Sequence, residues 1–355
     1  MPEAACLTVP KKLGEQAIRL VTELDLFNRE LQIQQTEDSI CIPLAAEPST
    51  AVLNTFKTKL YTFKISVHNF VTREKHHLVP LDFLADKLPS ALLAGVPRAI
   101  DFVGDIAIVE IPPELSTYRK EIGEAILNAH KQTCTVLAKS GAVEGVYRLR
   151  DFEVIAGAKK TVTVYREYGC IYHVDVAKAY FSPRLSSEHD RVASQVKTGE
   201  TVVDLFAGIG PFAIPISKKH KKVRVYAVDV NSDAIALLKR NVAVNRAEKQ
   251  VVSILGDARH VVREQLSGKA DRVIMNLPET ALEFVDVACE AIKPEGGIMH
   301  YYGFVKGSDP LETAKIQLTE AVNQNMRQVK KFLLAKSVRE VAPYTWQVVV
   351  DAKIQ

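Results

Sequence analysis

The sequence has little with which to build a covalent framework. Its five cysteines, Cys6, Cys41, Cys134, Cys170 and Cys289, are far apart and form no CxxC pair. Neither a zinc cluster nor a disulfide framework is expected from that spacing, and a reducing compartment fits it. No apolar run approaches the roughly 20 residues that span a bilayer. The opening MPEAACLTVPKK lacks the apolar centre of a signal peptide. These absences lead us to expect a cytoplasmic protein with no membrane partner and no metal centre. There are no internal repeats or low-complexity tracts. Nor is there a large charge excess: 46 Lys and Arg against 42 Asp and Glu leave a net charge of +4. That permits a nucleic-acid partner without demanding one. A glycine is missing as well. In VVDLFAGIGPF (202–212), Gly208 and Gly210 are followed by Pro211, Phe212 and Ala213, whereas the dinucleotide fingerprint G-x-G-x-x-G needs a third glycine. A nicotinamide oxidoreductase is disfavoured on that ground.

What is present is a chain of 355 residues with ordinary globular composition, 47% hydrophobic and 25% charged, long enough for two or three domains. Residues 1–70 read as a small α+β unit. CLTVP, SICIPL and KLYTFKISV have strand character, and GEQAIRLVTELDLF puts Ala17, Leu20, Val21 and Leu24 on one helical face. The polar stretch HNFVTREKHHLVP (68–80) reads as a linker; its His76 and His77 have no matching acid or cysteine spacing for metal. A second α+β unit runs to residue 157. In it FVGDIAIVEI (102–111) has a strand pattern, Pro112 and Pro113 end that strand, and a helix is expected from about Glu114. VEGVYRLRDFEVIAG then alternates as a strand with Arg148 and Arg150 on one side.

From residue 158 onward the pattern changes. After the strand pair KTVTVYREYGCIYHVD, a helix is expected to start at Ser186. Strands expected at 201–205, 223–228, 251–255, 271–276 and 297–302 alternate with helical stretches, and late strands follow in VREVAPYTWQVVVDAKI. Such alternation argues for a parallel, doubly wound α/β sheet. The basic run KKHKK (218–222) reads as a solvated loop at the amino end of that sheet, and Trp346 as core.

The glycine pair then acquires a context. Pro211 tolerates a first helical turn, but the loop has no basic or hydroxyl residue to help hold a pyrophosphate. A nucleoside without phosphates suits it better. Asp229 closes the second strand and can accept from both ribose hydroxyls. Asp257 follows the third strand in LGDAR, and Asn276 follows the fourth in MNLPE. All lie at carboxyl ends of parallel strands, where open α/β sheets place their ligands. Together they describe a site for S-adenosyl-L-methionine, with Phe206 as a wall. Just upstream, in AYFSPRLSSEHDR (179–191), Ser186 or Ser187 is expected to cap a helix whose first turn carries Glu188 and Asp190. On that evidence alone Glu188 is a structural acid at a helix N-terminus. Arg184 is suited equally to an RNA phosphate and to a structural ion pair.

YFSPRLSSEHDRV, GETVVDLFAGIGPFAIP, VIMNLPETALEFVD and GGIMHYYGF, with YRKEIGE, YRLRDFEVIAG and KKLGEQAIRLVTELDLFNRE, closely resemble the archaeal and eukaryotic tRNA (guanine-37-N1)-methyltransferases. The resemblance covers nearly the whole chain in the three-domain order of the archaeal enzymes. It implies a Rossmann-like class I methyltransferase domain (158–355) that binds S-adenosyl-L-methionine, behind two smaller α+β domains, a tRNA-shape-reading domain (1–70) and an RNA-binding middle domain (71–157). It further implies a monomer that engages the tRNA anticodon loop and outer corner. On matching positions, Glu188 takes the role of general base, Arg148 contacts the target guanine, and Asn276 lies between guanine and cofactor. His189, Asp229, Val230, Asp257 and Ala258, beside Phe206 and Gly208, fall on cofactor positions. Tyr180 and Pro278 are suited to packing on the guanine, and equally to a purely structural role.

The chemistry agrees with this placement. Guanine N1 must lose a proton as it attacks, so a carboxylate is required. The charge that grows on O6 calls for a fixed guanidinium. The guanine must also leave the anticodon-loop stack. Three rivals stand beside this reading: a wybutosine-pathway paralogue that transfers the aminocarboxypropyl group, a bifunctional homologue that also methylates a wyosine precursor, and an inactive tRNA-binding module. Glu188 together with Asn276 argues against the first, and intact Glu188, Arg148 and Asn276 against the last.

Overall fold

A computed structural model describes residues 2–36, 38–72, 79–144 and 149–355. Contacts divide the chain into two compact units, Met1–Leu78 and Val79–Gln355. The first contains β1 (Glu3–Pro10), α1 (Gly14–Glu23), β2 (Gln34–Gln35), β3 (Ser39–Pro43), α2 (Thr50–Lys59) and β4 (Lys64–Asn69). The strands form an antiparallel sheet in the order β2-β3-β1-β4. Strand alternation sends Leu7, Val9, Ile40 and Ile42 to one face, where Ala17, Leu20 and Val21 of α1 and Phe56 of α2 bury against them. Leu24, expected on the same helical face, is only partly buried at the margin of this cluster. Cys6, Cys41, Leu31 and Phe70 form a separate small cluster.

The second unit begins with α3 (Ser90–Leu93), β5 (Ile100–Val103), β6 (Ile106–Val109), α4 (Arg119–Ala129), β7 (Thr135–Glu144) and β8 (Leu149–Gly157). Its sheet runs β5-β6-β7-β8. The apolar run 102–111 is thus a hairpin and not the single strand its pattern suggests. Gly104 at φ +57° turns it, and a Cβ there would come within 2.2 Å of Thr163 Oγ1, so only glycine fits the bend. Asp105 fixes the turn by accepting from Thr163 Oγ1 at 2.7 Å and Lys160 Nζ at 2.5 Å. The helix expected from Glu114 is α4, delayed to Arg119 because Pro113–Tyr118 form a tighter 3₁₀ turn.

The remaining elements are β9 (Val162–Glu167), β10 (Cys170–Asp175), α5 (Ser186–Gln195), β11 (Thr201–Asp204), α6 (Ala213–Lys219), β12 (Arg224–Asp229), α7 (Ser232–Val244), β13 (Val251–Leu255), α8 (Ala258–Val261), β14 (Arg272–Met275), α9 (Val285–Ala291), β15 (Gly297–Lys306), α10 (Pro310–Gln324), β16 (Val329–Ala342) and β17 (Thr345–Ile354). Strands β9 and β10 form an antiparallel pair. The free edge of β10 is capped by amides of α7: Asn241 and Asn245 each accept from and donate to its backbone at 2.6–3.1 Å. The main sheet is seven-stranded, ordered β13-β12-β11-β14-β15-β17-β16. Its first five strands are parallel, and β17 and β16 complete it antiparallel. The strand order reverses between β11 and β14, which opens a crevice at their carboxyl ends.

Three local expectations are corrected. Neither Ser186 nor Ser187 caps α5: Leu185 stands at the cap with no side-chain bond, because the 3₁₀ turn Pro183–Leu185 runs directly into the helix. The KKHKK run is not a free loop: Lys218 and Lys219 end α6, Lys219 pairs with Asp190 at 2.6 Å, and His220 Nε2 meets the Ala193 carbonyl at 2.9 Å. Trp346 is half-buried at the margin of the core cluster instead of inside it.

Candidate functional site

The loop after β11 turns sharply because Gly208 and Gly210 adopt φ of +53° and +95°. A Cβ on Gly210 would come within 2.5 Å of Leu238 Cδ1, so a side chain there would have to push Leu238 of α7 aside as well as adopt a φ that favours glycine. Gly208 N–H donates to Asp229 Oδ2 at 2.7 Å, and Asn231 N–H donates to Oδ1 at 2.9 Å. The carboxyl of Asp229 is thereby locked at the tip of β12. Burial pushes its pKa up, against these backbone donors. Asp204, at the end of β11, is completely buried, and burial raises its carboxyl to about 7. Asp257 caps α8 by accepting from Arg259 N–H at 2.8 Å. After β14, the Asn276-Leu277-Pro278 loop is tied to β15 by the bond from Phe304 N–H to the Pro278 carbonyl, 2.9 Å.

These loops surround one cleft. Among its walls are Tyr180, His189, Phe206, Gly208, Asp229, Val230, Asp257, Ala258, Asn276 and Pro278. Every expected cofactor residue therefore lines one space, as do two of the three expected substrate residues. The third, Arg184, donates from Nε to Asp101, the ion-pair alternative that its sequence context allows. Arg148 lies outside the described residues. His189 is buried, with Nδ1 2.8 Å from Glu167 Oε1 and its ring edge-on to Phe212. Phe206 packs edge-on to Phe284 at 5.0 Å. The cleft suits a nucleoside carrying a positive charge. It has apolar walls, a loop without phosphate-binding side chains, the acids Asp229 and Asp257, and an Asn276 Oδ1 that is buried with no hydrogen-bond partner.

Glu188 does not line the cleft. Its side chain is 1% exposed within a buried charge network. Oε2 accepts from Arg191 Nε at 2.9 Å and from Tyr302 Oη at 3.0 Å, and Lys336 Nζ lies 2.5 Å from Oε1. Arg191 in turn pairs with Asp351, which meets His300 Nδ1 at 2.6 Å; His300 Nε2 lies 2.7 Å from Arg272 Nη1. Arg272 finally pairs with Glu200 at 3.0 Å. Arginine can only donate, so His300 accepts at Nε2 and carries its proton on Nδ1, toward Asp351. Burial holds His300 neutral by lowering its pKa. Burial alone would raise the Glu188 carboxyl, but Arg191 and Lys336 outweigh it and hold the pKa below the ordinary value. Glu188 is therefore an ionised, cation-paired carboxylate. Of its partners, only Arg191 has a sequence signal, three residues along the same helix. Tyr302, Lys336, Asp351 and His300 come from the distant strands β15, β16 and β17 and carried none.

Comparison with known proteins adds three findings. Residues 163–331 match the TRM5/TYW2 methyltransferase domain, residues 81–161 the TYW2 N-terminal domain, and residues 6–52 the tRNA methyltransferase 5 N-terminal domain. The chain is 37% identical over 347 residues, 98% of each protein, to tRNA (guanine(37)-N(1))-methyltransferase Trm5b of Pyrococcus abyssi. Its fold is similar to that of the complex of aTrm5 and tRNALeu (TM-score 0.68, 32% identity, 99% of both chains) and of M. jannaschii TYW2 in complex with AdoMet (TM-score 0.56, 29% identity, 72% of this chain and 99% of that one).

Proposed function

The chain belongs to the TRM5/TYW2 methyltransferase family, and we propose that it transfers a methyl group from S-adenosyl-L-methionine to N1 of the guanosine at position 37 of tRNA. The observation that carries this reading is the conjunction of a nucleoside cleft at the strand switch point with a buried, ionised Glu188 on the helix that brings His189 to its wall. S-adenosyl-L-methionine supplies an electrophilic methyl when bound. Asp229 would hold its ribose, Gly208 the loop against it, Phe206 and Val230 its apolar walls, and Asp257 and Ala258 the base end.

The chain's own residues would do the rest. Asn276 offers the guanine an amide whose carbonyl oxygen is otherwise unsatisfied. Tyr180, 48% exposed at the cleft mouth, and Pro278 offer surfaces for the extruded base. Arg148 would steady the charge on O6, and Arg184 would reach RNA only by leaving Asp101. Glu188 receives the N1 proton. In the resting state Lys336 and Arg191 make it a weak base, so one of them must yield. Lys336, with a side chain 41% exposed, is the partner that water or a phosphate can draw away. Losing that cation raises the basicity of Glu188 when the substrate is in place. The division into residues 1–70, 71–157 and 158–355 and a monomeric, cytoplasmic state belong to the same proposal. Among the described residues no helix is long and apolar enough to cross a membrane.

The test is transfer to tRNA transcripts with guanosine or adenosine at position 37, followed by mass spectrometry of the nucleoside. A mass gain of one methyl, dependent on the guanosine, is expected. An aminocarboxypropyl adduct would instead support the TYW2-like reading, which the match of residues 81–161 to the TYW2 N-terminal domain keeps open. No product with either transcript would leave the inactive tRNA-binding module. The proposal carries over to a wyosine precursor only if a transcript bearing that base is also methylated.

A further inference from the structure

We propose that the N-terminal unit binds a thiophilic metal ion of the Zn²⁺ class through Cys6, Cys41 and His68. Sequence spacing hides this group, since the ligands lie on three different strands. The register brings them together: Thr8 of β1 faces Cys41 of β3, while Cys6 and Ala4 face Ser66 and His68 of β4. Side chains alternate along a strand, so Cys6 and Thr8 share the face opposite Leu7 and Val9. Cys6 is the central strand's residue and the diagonal neighbour of both other ligands. The two Sγ atoms and an imidazole nitrogen all lie within 4.8 Å of one another. Thr8 Oγ1 sits between the thiols, 3.3 Å from Cys6 Sγ and 3.4 Å from Cys41 Sγ.

The donor set argues for a particular ion. Two thiols and an imidazole are soft to borderline ligands that select zinc over magnesium or calcium. Tetrahedral Zn²⁺, with bonds of about 2.0–2.3 Å to nitrogen and sulfur, needs ligand atoms roughly 3.5–3.8 Å apart. Closing the gap requires about an ångström of side-chain rotation, with no change of strand register. Cys6 and Cys41 are 0% and 5% exposed, whereas His68 is exposed. The thiols thus form a closed floor and the imidazole a ligand at the solvent side, the direction from which an ion enters. Water completes the fourth position, as at zinc sites with three protein ligands. Once bound, the ion ties β1, β3 and β4 together and stabilises this unit by mass action.

The full chain is stripped with a chelator under reducing conditions. It is then titrated with Zn²⁺ under native mass spectrometry and with Co²⁺ in an absorption spectrometer. One ion per chain and a thiolate-to-Co²⁺ charge-transfer band are expected. Cys6→Ser and Cys41→Ser should abolish both, and His68→Ala should weaken binding ~100-fold, at least the loss typical of a supporting partner of a ligand. Cys134→Ser, an exposed cysteine elsewhere, should change nothing. If a cysteine variant fails to fold, His68→Ala with both cysteines intact decides the matter: Zn²⁺ retention must fall in that variant, whose changed side chain is exposed, and stay unchanged in Cys134→Ser. The proposal falls if no stoichiometric ion is retained, if binding survives in the Cys6→Ser/Cys41→Ser double variant, or if His68→Ala binds Zn²⁺ as tightly as the native chain. A Cys6–Cys41 disulfide in the native protein would overturn it in favour of a redox pair.

Discussion

Replacing Glu188 by glutamine removes a charge while keeping the volume, and the structure sets the size of both consequences. Stripping one partner from a fully buried ion pair costs about 3–5 kcal/mol. The loss here is smaller. Lys336 is 41% exposed and can turn into water, while Arg191 keeps Asp351. The glutamine carbonyl can still accept from Arg191 and Tyr302. A cost of about 1–2 kcal/mol remains, that of one charged group left short of a partner, and the chain stays folded. The catalytic loss is larger: a positioned general base contributes about 10²–10⁴-fold, or roughly 3–5 kcal/mol of barrier. The assay pairs calorimetric binding of S-adenosyl-L-methionine with single-turnover methyl transfer to a guanosine-37 transcript. Cofactor affinity should hold, since Glu188 does not line the cleft, while the transfer rate falls at least ~10²-fold. A rate within about threefold of the native one would remove Glu188 as the base. Loss of cofactor binding in a variant that still melts cooperatively would make it a residue of the cleft instead.

Other outcomes follow from the same network. Lys336→Met removes a cation that lowers the Glu188 pKa, so the acid limb of kcat/KM against pH, which reports the free enzyme, should move to higher pH; an unmoved limb refutes the pairing. Asp351→Asn leaves Arg191 and His300 without their shared anion and should cost about 3 kcal/mol in a denaturant melt of the second unit. Asp351 and Glu188 both have depressed folded values. The stability they give is complete above the ordinary carboxylate range and is lost as pH falls through those depressed values, so Asp351→Asn should also flatten the acid limb of stability. Asp204 works in the opposite sense. Its folded value is about 7 against about 4 unfolded, so its contribution declines as pH rises between the two and is gone above the folded value. Asp204→Asn should abolish that slope in melting temperature against pH, and an unchanged slope would mean the carboxyl is ionised when folded.

The doubly wound sheet was legible because its signals are local. Apolar runs ending in Asp204, Asp229 and Leu255 match β11, β12 and β13 to within a residue, and their carboxyl ends converge as parallel topology requires. Asp229, Asp257 and Asn276 were legible for the same reason, since each closes or follows a strand, whereas His189, inside α5, was reached only through the family resemblance. Errors arose where a single residue changed the backbone. Gly104 folds an apparent strand into a hairpin, and Pro183 starts a 3₁₀ turn that makes a serine cap unnecessary. The C-terminal hairpin was visible as strands, but the pairing of β17 with β15 was not.

That pairing decides the chemistry of Glu188. Tyr302 on β15, Lys336 on β16 and Asp351 on β17 reach it only because two antiparallel strands extend the parallel sheet beside β15. Read in sequence, Glu188 is an acid in a first helical turn, suited to a helix dipole. In the folded chain three cations, Lys336, Arg191 and Arg272, alternate with three anions, Glu188, Asp351 and Glu200, through the neutral His300. Such balance lets a buried carboxylate remain ionised. It also makes one ion pair the control point. The deeper members are held on both sides, whereas Lys336 sits at the solvent end with nothing else in the chain of charges depending on it. Withdrawing that single ammonium changes the basicity of Glu188 and leaves Arg191, Asp351 and His300 in place to aim it. A base protected in this way can be ionised at rest and become reactive only when its outermost partner is drawn off.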